Sequence, residues 1–294
     1  MSQNGTSSSS TGVVVLSGDA GFGKSHVLTT SFKRAAAMPR GEIYPAVLQL
    51  TAPVEKKQYE EWLIDALFRQ LSARHFADDH NQSPLMRLAW RLLSRMSLEE
   101  QEDYLRLIDD LDDDGEIELA LKFAKKIRKE ALTFLGEAPP KEGFIAAVML
   151  AGFGDPSAID YLRLGTIDKR LKILDLDKIK TAHNRLDVLK HFGLTAQIVG
   201  ASLVIGFDQV ENAVRLGNEE LYVHTLTQAL RIVENVVNCT VVVASVVGEY
   251  DEIVGGKRKV KGLAAGDRDR IENASPVPVT IARATADFLQ KVVA

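Results

Sequence analysis

The sequence predicts an α/β fold with a mainly parallel sheet and a large helical insertion. Short β-branched apolar runs near both ends of the chain alternate with segments whose apolar residues recur at helical spacing. A glycine-rich stretch separates the first such run from the first such helix. Between the two ends, from about Val54 to Gly200, lies a long stretch of mostly helical segments.

Met1–Thr11 is Ser-rich and polar, with too little apolar surface to fold, so residues 1–11 are expected to be a disordered tail. Val13–Leu16 reads as a strand, and Val27, Leu28 and Phe32 place a helix after the glycines. Ala46–Thr51, bounded by Pro45 and Pro53, reads as a second strand. Tyr59, Trp62, Leu63, Ala66, Leu67 and Leu71 then share one helical face. Further helices are expected at Leu85–Met96, Leu98–Leu111, Ile117–Leu135, Gly143–Ala151, Pro156–Leu164 and Thr181–Gly200. Asp155-Pro156 supplies an N-cap and a first-turn proline. Strand character returns at Ser202–Phe207, and a helix follows at Glu219–Val237. Thr240–Val247 is the most continuous β-branched run, as a strand buried on both faces requires. Val277–Ile281 is a last short strand, and Ala282–Ala294 a last helix. The implied organisation is a core of residues 12–53 and 201–294 interrupted by a helical insertion, 54–200.

Composition narrows the function. Over 294 residues, 36 Lys and Arg against 40 Asp and Glu give a net charge of −4, which argues against a general nucleic-acid binder. A single cysteine, Cys239, rules out a disulfide framework and a Cys-rich metal site, and fits a reducing, cytoplasmic setting. No apolar run approaches the ~20 residues of a membrane span, so no membrane partner is expected.

The sharpest signal is Gly18-Asp19-Ala20-Gly21-Phe22-Gly23-Lys24-Ser25, which matches G-x-x-x-x-G-K-[ST] without departure, between a strand and a helix. The glycines let the loop curl so that backbone N–H groups face phosphate oxygens, and the following helix offers its positive N-terminal end. In this motif Lys24 reaches the β- and γ-phosphates and Ser25 places its hydroxyl on Mg²⁺. The fold expectation sharpens to a three-layer P-loop NTPase domain. Such a domain needs a carboxylate at the end of a neighbouring strand. Asp208, after Leu203–Phe207, supplies it; the alternative is an aspartate that only caps the strand. No Asn-Lys-x-Asp string for guanine is present, which favours ATP.

The string Phe207-Asp208-Gln209-Val210-Glu211-Asn212 resembles the Asp-Gln-hydrophobic-Glu signature of STAND-type ATPases, which belong with the AAA+ proteins. Gly21–Leu28 is similar to the P-loops of AAA+ replication-initiator and bacterial phage-defence ATPases, where a His often follows the Ser or Thr, as His26 does here. The resemblance covers the two ends of the chain and not its helical middle. It implies an ATPase that serves as motor or switch of a larger assembly, or a signalling switch with slow hydrolysis. It implies Glu211 as the general base, with Gln209 in the place of the usual Glu and able instead to orient water. It also implies Ser245 as a polar sensor of the γ-phosphate and Arg268 and Arg270 as arginine fingers, in a neighbouring subunit of a homo-oligomer. The bland alternatives are a small core residue for Ser245 and a surface ion-pair cluster for the arginines. A family member continues into a helical lid, so by the resemblance this chain is a fragment without one. A small-molecule kinase is a third reading, without the expected Arg-rich lid.

Four other signals carry less. Asp110–Ile117 resembles half a calcium loop, but the twelfth position, where a bidentate Glu is needed, is Leu121. His75, Asp78, Asp79 and His80 read as a polar loop, and Lys122–Lys129 as an amphipathic helix. Gly255–Gly262 is a basic, glycine-rich loop that, like the insertion, could meet a DNA or protein partner.

Overall fold

The first apolar run forms strand β1 (Gly12–Ser17), and the segment after the glycines forms helix α1 (Lys24–Ala36). The computed structural model describes residues 12–38, 43–50, 55, 58–76, 81–109 and 113–246, and beyond them 248, 252, 254, 269, 270, 273, 279 and 280. The expected tail 1–11, the acidic turn 110–112, Asp78, Asp79 and His80, the basic loop 255–262, Arg268 and the terminal helix 282–294 lie outside those residues.

Strand β2 (Ile43–Gln49) follows, then α2 (Tyr59–Ser72), α3 (Pro84–Leu93), α4 (Leu98–Asp109), α5 (Asp113–Ala131), α6 (Glu142–Phe153), α7 (Pro156–Leu164) and α8 (Ala182–Ile198), with short 3-10 turns at Arg74–Phe76 and Arg170–Leu174. The chain returns through β3 (Ser202–Asp208), α9 (Glu211–Arg215), α10 (Glu219–Asn235), β4 (Cys239–Ser245) and the two-residue β5 (Val279–Thr280). The sheet order is β2-β3-β4-β1-β5, with every pairing parallel. Pro45, read in the sequence as a boundary, lies inside β2. It is tolerated because β2 is an edge strand, where a missing N–H on the outer side breaks no ladder bond. The string read as half a calcium loop instead runs into α5, which takes Asp113–Glu116 into its first turn and Leu121 into its body.

Alternation sorts the strand residues onto two faces. Leu16, Val47 and Ala244 pack with Leu28, Phe32 and Ala36 of α1 and with Phe76. Val13, Val15, Ala46, Leu48, Leu203, Ile205, Phe207, Val241 and Val243 join the core shared with α10 and the inserted helices. The insertion is thus continuous with the sheet's second face. At its centre α6 is buried all round, from Gly143 to Gly152, as a helix without a polar face must be. Arg87 of α3 fastens it to the core: Nη1 donates to the carbonyl of Ala36 at 2.7 Å and Nη2 to that of Ile43 at 3.3 Å.

On the other face α1 lies close to β3. A Cβ at Gly206 would stand 3.0 Å from Phe32 Cε2 and 3.1 Å from a Leu28 methyl. We expect Gly206→Val to lower stability by about 1–3 kcal/mol through overpacking, read as a lower midpoint in denaturant unfolding. An unchanged midpoint would show that α1 is not seated on β3 as described. Among the described residues no helix is long and apolar enough to cross a membrane.

Candidate functional site

The glycine-rich loop joins the C-terminal end of β1 to α1. Gly21 and Gly23 have φ of +83° and +82°, in the left-handed region that a side chain disfavours, and so the loop can curl over the helix start. The N-cap of α1 is Gly23 itself: no side chain caps the helix, and no acidic residue lies in its first turn. The capping duty that Ser83, Asp155, Thr181 and Asn218 perform for α3, α7, α8 and α10 is left open here. That end therefore presents unsatisfied N–H groups and a positive dipole to an anion.

Lys24, 7% exposed, turns back under the loop. Its Nζ donates to the carbonyl oxygens of Gly18 at 3.0 Å and Asp19 at 3.1 Å, and Phe22 N–H donates to Asp19 O at 3.3 Å. The ammonium is thus held against the concave loop by the loop's own main chain. Ala20 and Gly21 are exposed at the turn, and His26 is exposed on the first turn of α1.

β3 delivers the second half of the site. Ser25 Oγ donates to Asp208 Oδ1 at 2.9 Å, joining residues 183 positions apart in the chain. Asp208 Oδ1 also accepts the Gln209 N–H at 3.0 Å, while Oδ2 is buried and has no hydrogen-bond partner among the described residues. A buried carboxylate oxygen without a donor is costly, and a cation on it would remove that cost. The local donor set, a hydroxyl and a carboxylate, is all oxygen and suits a hard divalent ion that keeps much of its own water. No cluster of three His, Cys, Asp or Glu occurs among the described residues.

After Asp208 the backbone turns sharply, with Gln209 at φ +60°. The turn starts α9 at Glu211, which is 8% exposed and whose Oε2 is buried with no partner among the described residues. Asn212 ties this turn to β2: its Nδ2 donates to the Gln209 side-chain oxygen at 3.2 Å and to Leu50 O at 3.4 Å. Asn212 went unassigned in the sequence although it closes the same string as Asp208, because a chain-distant main-chain acceptor leaves no trace in spacing.

Ser245 stands beside Ser17 in the β1–β4 register, next to the loop. It is fully buried, and its hydroxyl pairs with Tyr222 OH of α10 at 2.7 Å, a partner the sequence did not indicate. Arg270 is placed elsewhere. Its guanidinium bonds Glu234 in the last turn of α10, just before the chain enters β4 at the sheet's N-terminal edge, away from the glycine loop. The structure thus brings together Lys24, Ser25, Asp208, Gln209 and Glu211, with Ser245 adjacent and Arg270 apart. No protein-family model, curated protein or solved structure matches this chain, so a functional reading rests on the geometry of its own residues.

Proposed function

We propose that the chain is a Mg²⁺-dependent P-loop ATPase of the AAA+ and STAND kind, the motor or switch of a larger assembly such as a bacterial anti-phage system. The observation that carries this reading is the Ser25–Asp208 pair, 2.9 Å apart at the mouth of the glycine loop, with Asp208 Oδ2 buried and without a partner among the described residues. Gly18–Gly23 and the open start of α1 would hold the phosphates, Lys24 would meet the β- and γ-phosphates, and Ser25 and Asp208 would hold Mg²⁺. Bound Mg²⁺ would supply charge neutralisation on the phosphate oxygens. Glu211 would take a proton from water, and Gln209 would help to hold that water. The exposed position of Arg270, away from its own loop, suits a role toward a neighbouring copy, as a finger or an interface residue. A second reading, a slow switch, is favoured by Gln209 standing where an efficient hydrolase carries Glu.

The test is calorimetric. ATP with Mg²⁺ should bind at micromolar levels and, at a hundred times its Kd, stabilise the fold by about 2.7 kcal/mol. AMP should not reproduce this. The absence of heat and of thermal shift at millimolar ATP would rule out the reading.

A further inference from the structure

A cleft of about 370 Å³ opens along the outer edge of β2, walled by Thr29 of α1 on one side and by α2 on the other. Its floor includes Val47, Leu48 and Gln49. The Val47 and Leu48 side chains are buried on opposite faces of the sheet, so what they give the cleft is main chain. The direction of that main chain follows from pairing. Leu50 N–H bonds Asp208 O, on the β3 side, and N–H and C=O groups alternate sides along a strand. The groups of Ile43, Pro45, Val47 and Gln49 therefore point outward.

The first half of this edge is closed. Pro45 has no N–H to offer, and Arg87 occupies the Ile43 carbonyl. The second half is open: the N–H and C=O groups of Val47 and Gln49 face the cleft with no partner among the described residues. The Gln70 side-chain oxygen in the α2 wall is also buried, with no partner among the described residues. Charge selects further. Asp65, the one acidic residue among the described residues that line the cleft, accepts from Arg69 at 2.6 Å and from Arg163 at 2.8 Å. Among the described residues this group sets one carboxylate against two guanidiniums, and Arg69, which lines the cleft, is the more exposed of the two.

We propose that the edge of β2 from Pro45 to Gln49 docks an extended peptide segment of a partner protein. The segment adds as a strand, bonding Val47 and Gln49, and sets a carboxylate side chain on Arg69. Strand addition draws its affinity from main-chain bonds and its selectivity from the walls, and both are provided here. The dock stands independently of the nucleotide reading.

The probe is a short acetylated, amidated peptide of alternating Val and Thr with one Glu, titrated into the full chain. The expected result is slowed hydrogen exchange at the Val47 and Gln49 amides. Affinity should fall roughly tenfold or more when the peptide is N-methylated at alternate residues, the loss of two or three main-chain bonds. Val47→Pro, which removes an outward N–H as Pro45 already does, should weaken binding similarly. Arg69→Glu should weaken the Glu peptide and not its Gln counterpart. No protection at millimolar peptide overturns the dock, as does binding that N-methylation leaves unchanged.

Discussion

Lys24→Ala should cost the protein about 10- to 150-fold in affinity for ATP with Mg²⁺, the equivalent of losing one hydrogen bond to a charged group. The ammonium is held in place, 7% exposed and aligned by Gly18 O at 3.0 Å and Asp19 O at 3.1 Å. Those two bonds use two of its three donors and hold it where phosphate oxygens drawn to the loop's N–H groups would meet it. Little ordering remains to be done when an anion arrives, so most of the interaction appears as affinity. Lys24→Arg should not restore binding, because a planar fork cannot take the place of a compact ammonium beneath a tight loop. Titration with a fluorescent ATP analogue, alongside melting curves of the nucleotide-free variants, separates this loss from unfolding. Affinity within about threefold of wild type in a folded Lys24→Ala protein is too small a change for a charged contact and would remove Lys24 from the phosphate site.

Much of this arrangement was legible in the sequence because its signals are local. Val13–Leu16, the glycines and Lys24 fall within one short stretch, and each residue's placement follows from the strand, loop and helix around it. The inserted helices were equally legible, since their apolar faces repeat at 3.6 residues. Helix ends were sharpest where capping chemistry is explicit, as at Asp155-Pro156, where Asp155 Oδ1 accepts Ala158 N–H at 2.7 Å. What the sequence hid depends on pairing across the sheet. That Ser245 pairs with Tyr222 and that Asn212 holds Leu50 O follow from strand order and packing. Pro45 misled for the same reason, because its meaning changes between an edge strand and a central one. The charged pair Arg270–Glu234 could be seen as an arginine near acids but not as one seated on α10.

Glu211→Gln should slow ATP turnover by about 10²- to 10⁴-fold, the usual contribution of a positioned general base, while leaving ATP affinity within a few-fold of wild type. Two acceptors compete for this role, and the geometry separates them. The Gln209 side-chain oxygen is already engaged by Asn212 at 3.2 Å, whereas Glu211 Oε2 is buried and unpaired among the described residues. An unpaired buried carboxylate oxygen is an unfavourable arrangement to maintain, and a bound water that donates to it relieves the cost while placing a proton within its reach. Gln209→Ala should therefore slow turnover less than Glu211→Gln, because it removes a group that shapes the turn and does not accept the proton. The substitution Glu211→Gln keeps the side chain's size and one oxygen, so the nucleotide should still bind and only the chemical step should suffer. Single-turnover phosphate release, measured at several protein concentrations, reads that step directly. Equal rates for wild type and Glu211→Gln, with ATP bound in both, would assign the protein to the slow switch, in which Glu211 only begins a helix.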